Sequence, residues 1–311
     1  MESLRDVKKR IKSVGNTSQI TKAMEVVSAT KMRKSQEFAL RARPFAVASL
    51  EMLRNILSRT AVLPALLQTR PIKTSALLVV TSDKGLAGAF NANVLKRTEL
   101  WIKEKKDLGV SIVFITVGKK AKEYLERRKY FVKKSFLGFG DFAHLEETMP
   151  VAEVILGGFL NSELDEVDAI YTNFKTTLLQ ETVLRRIMPV KRDQLDEVVA
   201  SIIPEYGRYS ELKDGNADKK RNNYSYEYIF EPSPVEILDK LVPQLLRMHI
   251  HHLILESNAS EHSARMVAMK SASENAKELI TDLTLVYNKA RQSAITRELT
   301  EITAGREALE K

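Results

Sequence analysis

The distribution of apolar residues predicts a long helix at the C-terminal end of the chain. Between Met269 and Ala294, apolar or small residues recur at steps that mostly alternate between three and four. This spacing is typical of the seam of a two-stranded coiled coil, in which a partner helix covers one stripe of each helix. The seam predicted in this way consists of Met269, Ala272, Ala276, Leu279, Leu283, Val286, Ala290 and Ala294.

The N-terminal end of the chain carries a matching pattern that could cover this seam. We expect a first helix from about Leu4 to about Ser58, with a kink at Pro44, paired with the last helix as an antiparallel coiled coil. Two paired helices with a different pattern between them predict a rod that carries a domain. The predicted seam residues of this first helix are Leu4, Val7, Ile11, Val14, Ile20, Met24 and Val27.

The start of the C-terminal helix is marked by its capping residues. Ser233 is a favourable N-cap residue, Pro234 suits the first helical position, and Glu236 completes a capping box. The helix is therefore predicted to begin at Pro234 and to run to about Leu309.

The middle of the chain changes to short apolar runs that alternate with helical stretches. This alternation predicts an open, mostly parallel, Rossmann-like α/β sheet. The predicted strands cover 76–81, 112–117, 167–174 and 183–190, and the predicted helices cover 91–107, 119–128 and 145–160.

The patterns together divide the chain into four predicted segments. A coiled-coil helix covers 1–60, a central α/β domain covers 72–204, and a second coiled-coil helix covers 233–311. Between the last two lies a polar, tyrosine-rich loop or insertion at 205–230. We therefore expect long helices plus an α/β domain as the fold class.

The charge of the chain is concentrated on its first helix. The 311 residues carry a net charge of +9, and residues 1–43 contain eleven Lys or Arg against four acids. Such a helix suits an acidic partner, which could be nucleic acid, anionic lipid or an acidic protein loop, although a solvated polar face is the simpler interpretation. The chain lacks cysteine and any apolar run long enough for a transmembrane helix. Because residues 1–19 contain no continuous apolar stretch, we expect no secretory signal there.

The loop after the first strand is the place where α/β proteins bind phosphate groups. Its sequence, from Ser82 to Asn91, is SDKGLAGAFN. It matches neither of the glycine-rich phosphate-binding motifs and lacks the lysine–hydroxyl pair that holds phosphate and magnesium. We therefore expect a tight turn rather than a nucleotide site, and no cofactor.

Three histidines near the start of the last helix are the other candidate for chemistry. His249 and His252 lie one turn apart, so a zinc contact is geometrically possible, but only Glu256 is available nearby as a further ligand. A solvated helix face is the expectation, with no metal site and no catalytic residues.

Several sequence blocks in order along the chain resemble the γ subunit of the F-type ATP synthase, of the bacterial type. Near the C-terminus the family pattern is matched by Ile295, Thr296, Glu298, Glu301 and Gly305, whereas Arg306 stands where the family has a small residue. The other matching blocks are 10–36, 82–94, 171–190 and 260–276.

The resemblance implies a non-catalytic central shaft that couples ion-driven rotation of a membrane ring to ATP synthesis or hydrolysis. Its partners would be the α and β subunits of the catalytic hexamer, the ε subunit and the c-ring, and it would meet the membrane only through them. An acidic loop of β would then be the partner of the basic first helix.

The resemblance also implies which residues contact the hexamer. Lys22 and Met24 would lie near the acidic loop of β, and Arg265 would link the two contact regions along the last helix. The alternatives are a plain seam position for Met24 and solvated side chains for Arg265 and Arg291. The residues expected at the upper contact are Arg291, Gln292, Thr296, Glu298 and Glu301.

Two other functions remain to be weighed against the shaft. A nucleic-acid-binding protein with a basic coiled-coil arm would interleave aromatic and basic residues, but Phe38 is the single aromatic residue in 1–43. An α/β enzyme dimerised by its terminal helices would need a completed motif in the Ser82–Asn91 loop. We therefore expect no nucleic-acid partner. The resemblance implies a peripheral location on the cytoplasmic face of a bacterial inner membrane.

Overall fold

The computed structural model describes residues 3–41, 64–139, 143–189 and 233–309, together with positions 48, 52, 53, 56 and 231. Two long helices lie at the ends of the chain, α1 (Leu4–Arg41) and α5 (Pro234–Leu309). The predicted kink at Pro44, the end of the first helix near Ser58 and the polar segment 205–230 lie outside the described residues. No helix in the described part is long and apolar enough to cross a membrane.

A five-stranded sheet forms the centre of the chain, with the strand order β3-β2-β1-β4-β5. The first four strands are parallel, and β5 joins the edge of β4 antiparallel. The strands are β1 (Thr74–Val80), β2 (Ser111–Val117), β3 (Val132–Phe136), β4 (Glu166–Phe174) and β5 (Gln180–Met188). The connecting helices are α2 (Phe90–Asp107), α3 (Lys119–Arg127) and α4 (Leu145–Leu160), and a short 3-10 turn covers Ala65–Leu67.

Helices cover both faces of the sheet. Successive residues of a strand point to opposite faces, so each strand contributes side chains to both hydrophobic cores. Leu77 and Val79 of β1 belong to the core that includes Trp101 of α2, whereas Leu78 belongs to the core that includes Ile250 of α5. The residues of β1 from Ser75 to Val80 are buried, as expected for the central strand of a parallel sheet.

The sequence analysis predicted four of these strands and missed β3. Its sequence, VKKSF, carries two lysines and is only partly buried, so it lacks the apolar run that identified the other strands. This is the composition expected of an edge strand, where charged side chains discourage pairing with other chains. The α/β architecture and the mostly parallel sheet are otherwise as predicted.

The chain separates into two compact units. One consists of Met1–Val27 and Met266–Lys311, and the other of Ser28–Arg265. We call them the coiled-coil unit and the α/β unit. Both α1 and α5 contribute to each unit, and in the coiled-coil unit they run antiparallel.

The seam of the coiled-coil unit differs in part from the predicted one. Along α1 the seven-residue rhythm continues from Val7 and Val14 through Ser18 and Thr21, which are buried. Ile20 and Val27, which were predicted in the seam, are 60% and 52% exposed. The prediction failed there because it followed apolar side chains, whereas small hydroxyl residues occupy the seam.

The seam of α5 is shifted by one residue at several turns. Leu279 and Val286, which were predicted in it, are 39% and 54% exposed. The adjacent Ile280 and Tyr287 are less exposed and keep a regular step with Ser273 and Leu283. Because both neighbours are apolar at these turns, the sequence pattern alone did not distinguish the two phases.

Candidate partner-contact surface

In the coiled-coil unit, α1 exposes both apolar and basic side chains outside the seam. Ile20, Met24 and Val27 lie at helical steps of four and three and form one outward stripe beside the seam, in which Met24 is half-buried. Lys22 is exposed, and its Nζ lies 2.9 Å from the carboxylate of Glu25. We call the face formed by Ile20, Met24 and Val27 the α1 stripe. Lys22 is two residues from Met24 and therefore lies on another side of the helix, so the two sequence-predicted contact residues of α1 do not share one face.

A second outward stripe lies near the end of α5. Ile295, Leu299 and Ile302 are 48%, 59% and 68% exposed at the same helical steps of four and three. Exposed apolar residues grouped on one face often mark a surface that meets another protein. The sequence analysis named Ile295 for its place in the family pattern, but it did not recognise this stripe.

The polar residues predicted for the upper contact surround this second stripe. Arg291, Gln292 and Glu298 are exposed. The Thr296 hydroxyl donates to the carbonyl of Gln292 at 3.0 Å, and Arg297 Nε lies 2.8 Å from Glu301 Oε1. An ion pair as exposed as the latter contributes little to stability, so both charges remain available to a partner.

The structure places Arg265 in a different environment, buried at the end of the α/β unit. Its Nη2 lies 2.6 Å from Glu261 Oε1, one helical turn earlier in α5. The same guanidinium approaches the carbonyl oxygens of Gly85 at 3.3 Å and Lys84 at 3.5 Å. The side chain is thus bound to the Ser82–Asn91 loop rather than to solvent.

The Ser82–Asn91 loop is also held from the side of the sheet. The carboxylate of Asp83 accepts hydrogen bonds from the backbone N–H of Lys119 and of Gly138, at 2.8 and 2.9 Å. Ser82 and the side chain of Asn91 hydrogen-bond across the loop. A tight turn was predicted here, and Leu86 and Gly88 both have positive φ angles, 63° and 55°.

This loop follows the carboxyl end of β1, and the order in which strands are added to the sheet reverses between β1 and its neighbour β4. Open α/β sheets commonly bind ligands at that position. Here α5 occupies the neighbouring end of β4, because Ser260 donates to the Thr172 carbonyl at 3.1 Å and Ser263 to the Thr177 carbonyl at 2.7 Å. The ends of β1 and β4 are therefore both bonded to a helix of the same chain.

The three histidines of α5 are buried, which corrects the expectation of a solvated helix face. His249, His251 and His252 are 5%, 7% and 4% exposed because this part of α5 packs on the sheet. The His251 ring nitrogen Nδ1 lies 2.9 Å from the hydroxyl of Thr148, and His252 Nε2 lies 3.1 Å from Glu256. No group of side chains in the described ranges could hold a metal ion.

Burial keeps two of these rings neutral. It lowers the pKa of His249 to about 3, with smaller contributions from nearby His252 and Arg185. Burial also lowers the pKa of His251 to about 4, assisted by His252 and His144. The uncharged imidazoles therefore belong to the core between α5 and the sheet.

A buried ion network on the other face of the sheet was not predicted. Lys105 Nζ lies 2.5 Å from Glu166 and 3.9 Å from Asp168, and Arg186 pairs with both carboxylates. Asp168 also accepts a hydrogen bond from Trp101 Nε1 at 2.8 Å. Burial raises the pKa of Asp168 and lowers that of Lys105.

Neither buried cluster has the features of a catalytic centre. The ion network balances two cations against two carboxylates, and the histidines face the core of the α/β unit. The sequence analysis missed the network, although Glu166 and Asp168, two acids on one side of the strand EVDAIYTNF, were a signal for buried charge that needs partners.

Comparisons with known proteins agree on one family. A family model described as ATP synthase matches residues 3–309. The ATP synthase gamma chain of Gloeothece citriformis is 39% identical over 316 aligned positions, which cover 99% of this chain and 100% of the relative. That of Chlorobium phaeobacteroides is also 39% identical, with 100% and 99% of the two chains covered.

Solved structures with lower sequence identity share the fold. A chain of the Euglena gracilis mitochondrial ATP synthase (OSCP/F1/c-ring) aligns with a TM-score of 0.62 at 17% identity, covering 98% of this chain and 94% of that one. A chain of the Tetrahymena thermophila mitochondrial ATP synthase central stalk and c-ring aligns with a TM-score of 0.57 at 21% identity, with 82% and 99% covered. From the family match and the relatives at 39% identity, we conclude that the chain belongs to the ATP synthase γ chain family.

Proposed function

We propose that this chain is the central rotor shaft of an F-type ATP synthase. In that role it couples rotation of the membrane c-ring to ATP synthesis or hydrolysis at the β subunits, and it is not itself catalytic. The observation that carries the proposal is the full-length match to ATP synthase γ chains, which extends over both the coiled-coil unit and the α/β unit.

The coiled-coil unit has the physical properties that this role requires. A helix pair with a continuous seam resists unwinding, because rotation of one helix against the other would expose Leu283 and Met269 to water. The exposed side chains of its outer surface are apolar on some sides, as at Ile20 and Val27, and charged on others, as at Lys22. A shaft of this kind presents different contacts to chemically identical sites and so gives each site a different affinity.

We further propose that the two exposed stripes mark the regions that meet the hexamer. Lys22 and Met24 would face an acidic loop of β, where Lys22 supplies positive charge. The apolar stripe near the end of α5 would turn within the sleeve of the hexamer. The residues proposed for that upper contact are Arg291, Gln292, Thr296, Glu298 and Glu301.

The α/β unit is the proposed attachment to the ε subunit and to the c-ring. We infer that the chain reaches the membrane through these partners, at the cytoplasmic face of a bacterial inner membrane. The bacterial γ chains at 39% identity support this placement.

The nucleic-acid-binding alternative has less support. Its main observation was the positive charge of α1, and the same helix carries the exposed apolar residues Ile20 and Val27. Phosphate contacts do not need apolar groups, whereas a protein partner would cover them.

Isolation of the chain from its native membranes with its partners would test the proposal. We expect one copy of this chain with three α and three β subunits, together with ε and c subunits, and magnesium-dependent ATP hydrolysis by the complex but not by the pure chain. A salt-sensitive complex with nucleic acid, and no α or β subunits, would refute the shaft function.

A further inference from the structure

Arg265 occupies a defined position along α5. It is the last residue of the α/β unit on this helix, and Met266 begins the coiled-coil part. A helix that carries torque must be fixed against rotation about its own axis in the unit where it is anchored. The bonds that α5 makes near Arg265 are therefore the ones to examine for this task.

Three side chains of α5 bond to the carboxyl end of the sheet within six residues. Ser260 donates to the carbonyl of Thr172, and Ser263 donates to the carbonyl of Thr177 in the loop after β4. Arg265 donates to the carbonyls of Lys84 and Gly85 in the loop after β1. The last of these is the only one of the three that is charge-assisted, and Glu261 holds its guanidinium in place at 2.6 Å.

The carbonyl group of Gly85, which Arg265 contacts, is next to a residue with an unfavourable backbone conformation. The carbonyl of Gly85 belongs to the peptide group that precedes Leu86, whose φ is 63°. A leucine rarely adopts this conformation, and it persists only where the surroundings hold it. The guanidinium of Arg265 contacts the carbonyl of this peptide group at 3.3 and 3.4 Å, and Asp83 anchors the loop two residues earlier through the N–H groups of Lys119 and Gly138. The Leu86 side chain itself is 64% exposed.

We propose that Arg265 is a positioning residue that locks α5 to the Ser82–Asn91 loop and so fixes the helix against rotation in the α/β unit. Lysine cannot replace it, because one ammonium group cannot reach Glu261 and two carbonyl oxygens in the planar geometry of a guanidinium. The proposal rests on the proposed shaft function for its consequence, which is efficient coupling, but the lock itself is a property of this chain alone.

The first test measures the lock in the isolated chain by hydrogen exchange. In Arg265→Met, amide exchange in the peptide that contains Ser82 to Phe90 should be faster by about tenfold or more, as expected for the loss of a charge-assisted bond. Arg265→Lys should behave similarly. The matched control is Arg247→Met, which removes another α5 arginine that pairs with Glu153 of α4 at 2.7 Å.

The second test measures coupling in the complete complex in membrane vesicles. Arg265→Met should lower the ratio of ions pumped to ATP hydrolysed several-fold, whereas Arg247→Met should leave that ratio unchanged. Unchanged exchange in the loop would overturn the lock, and faster exchange with unchanged coupling would overturn its role in torque transfer.

These outcomes are distinct from a failure of the proposed function. If the chain is not the shaft, the wild-type protein will not assemble with α and β, and the hydrogen-exchange comparison will still decide whether Arg265 holds the loop. Thermal unfolding of each variant provides the check that the α/β unit remains folded.

Discussion

Individual residues in the core of the α/β unit carry charge that the fold must compensate. Lys105 of α2 and Arg186 of β5 pair with Glu166 and Asp168 of β4, whose carboxylates are 1% and 4% exposed, so removal of one cation leaves buried negative charge unbalanced. The cost of an unpaired buried charge exceeds the gain from the pair itself. This asymmetry makes the network a sensitive point for mutation, although it contributes no catalytic chemistry.

Replacement of Lys105 by methionine should destabilise the chain by about 3 kcal/mol or more, because it leaves two buried carboxylates with one cation. Urea unfolding of Lys105→Met and of Lys103→Met provides the measurement. Lys103 is an exposed residue of the same helix, so its replacement should change stability by less than about 0.5 kcal/mol. Equal midpoints for the two variants would contradict the importance of the network.

At the scale of secondary structure, the sequence predicted the elements well and their packing less well. The strands β1, β2 and β4 were found because buried parallel strands are continuous apolar runs, and β3 was missed because an edge strand with Lys133 and Lys134 has no such run. Helix boundaries such as Pro234 followed from capping, and the Ser233 hydroxyl accepts from the N–H of Glu236 at 3.3 Å.

The seam of the coiled coil shows why packing was harder to predict. Ser18 and Ser273 face each other, with their hydroxyls 3.5 and 3.4 Å from the carbonyl oxygen of the opposite residue. Thr21 hydrogen-bonds to carbonyls of its own helix, at 3.0 and 3.1 Å. Small hydroxyl residues can thus be buried at low cost, and a search for apolar residues alone overlooks them.

Enlargement of this close contact should weaken the coiled-coil unit. Ser273→Leu places a large side chain against Ser18 and should destabilise the helix pair by about 1–3 kcal/mol. Ser271→Leu makes the same change at an exposed position two residues earlier and serves as the control. Circular dichroism should show earlier loss of helix on heating for Ser273→Leu, and a similar loss in both variants would place the seam elsewhere.

The packing of α5 on the sheet should depend on pH through its histidines. The pKa values of His249 and His251, about 3 and about 4, lie below the ordinary value of 6.5 that applies when the chain is unfolded. The unfolded chain therefore binds more protons in this range. Stability is fully present above about pH 6.5 and is lost progressively as the pH falls towards 4.

Urea unfolding between pH 7 and pH 4.5 should reveal this dependence. His249→Gln with His251→Gln should flatten the loss of stability with falling pH, even if the variant is less stable at pH 7. Lys103→Gln, at an exposed position in the same unit, should leave the slope unchanged. A wild-type slope retained in the double variant would assign the acid sensitivity to other groups.

At the scale of the whole molecule, the function was inferred from sequence resemblance and not from a recognisable catalytic, metal or nucleotide-binding motif. The charged and apolar residues of α1 suggested a partner, but charge alone did not distinguish nucleic acid from protein. The structure adds the exposed stripes beside the seam, which no pattern search had separated from it. Met24 is the residue for which this distinction matters most, because the apolar pattern predicts it in the seam and the structure places it beside the seam, half-buried.

A new cation at Met24 should impair coupling more than assembly. Met24→Lys adds a positive charge on the α1 stripe, where an acidic loop of β is the proposed partner, and a partly buried ion pair of a few kcal/mol would hold one rotary position. Gln19→Lys adds the same charge on a different face of the helix. The ratio of pumping to hydrolysis in vesicles should fall for Met24→Lys alone, and a proportional loss of both activities would contradict this position.

The end of α5 should act as a bearing whose contacts differ in importance. Arg291 and Glu301 are proposed to make charged contacts with the hexamer, so Arg291→Ala or Glu301→Ala should lower turnover. Arg306 is exposed and stands where the family has a small residue, so Arg306→Ala should be nearly neutral. Single-molecule rotation of the assembled complex would compare the three directly. If Arg306→Ala stalls while Arg291→Ala turns normally, the contact lies nearer the end of the helix than proposed. If all three turn normally, the apolar stripe of Ile295, Leu299 and Ile302 carries the bearing without them.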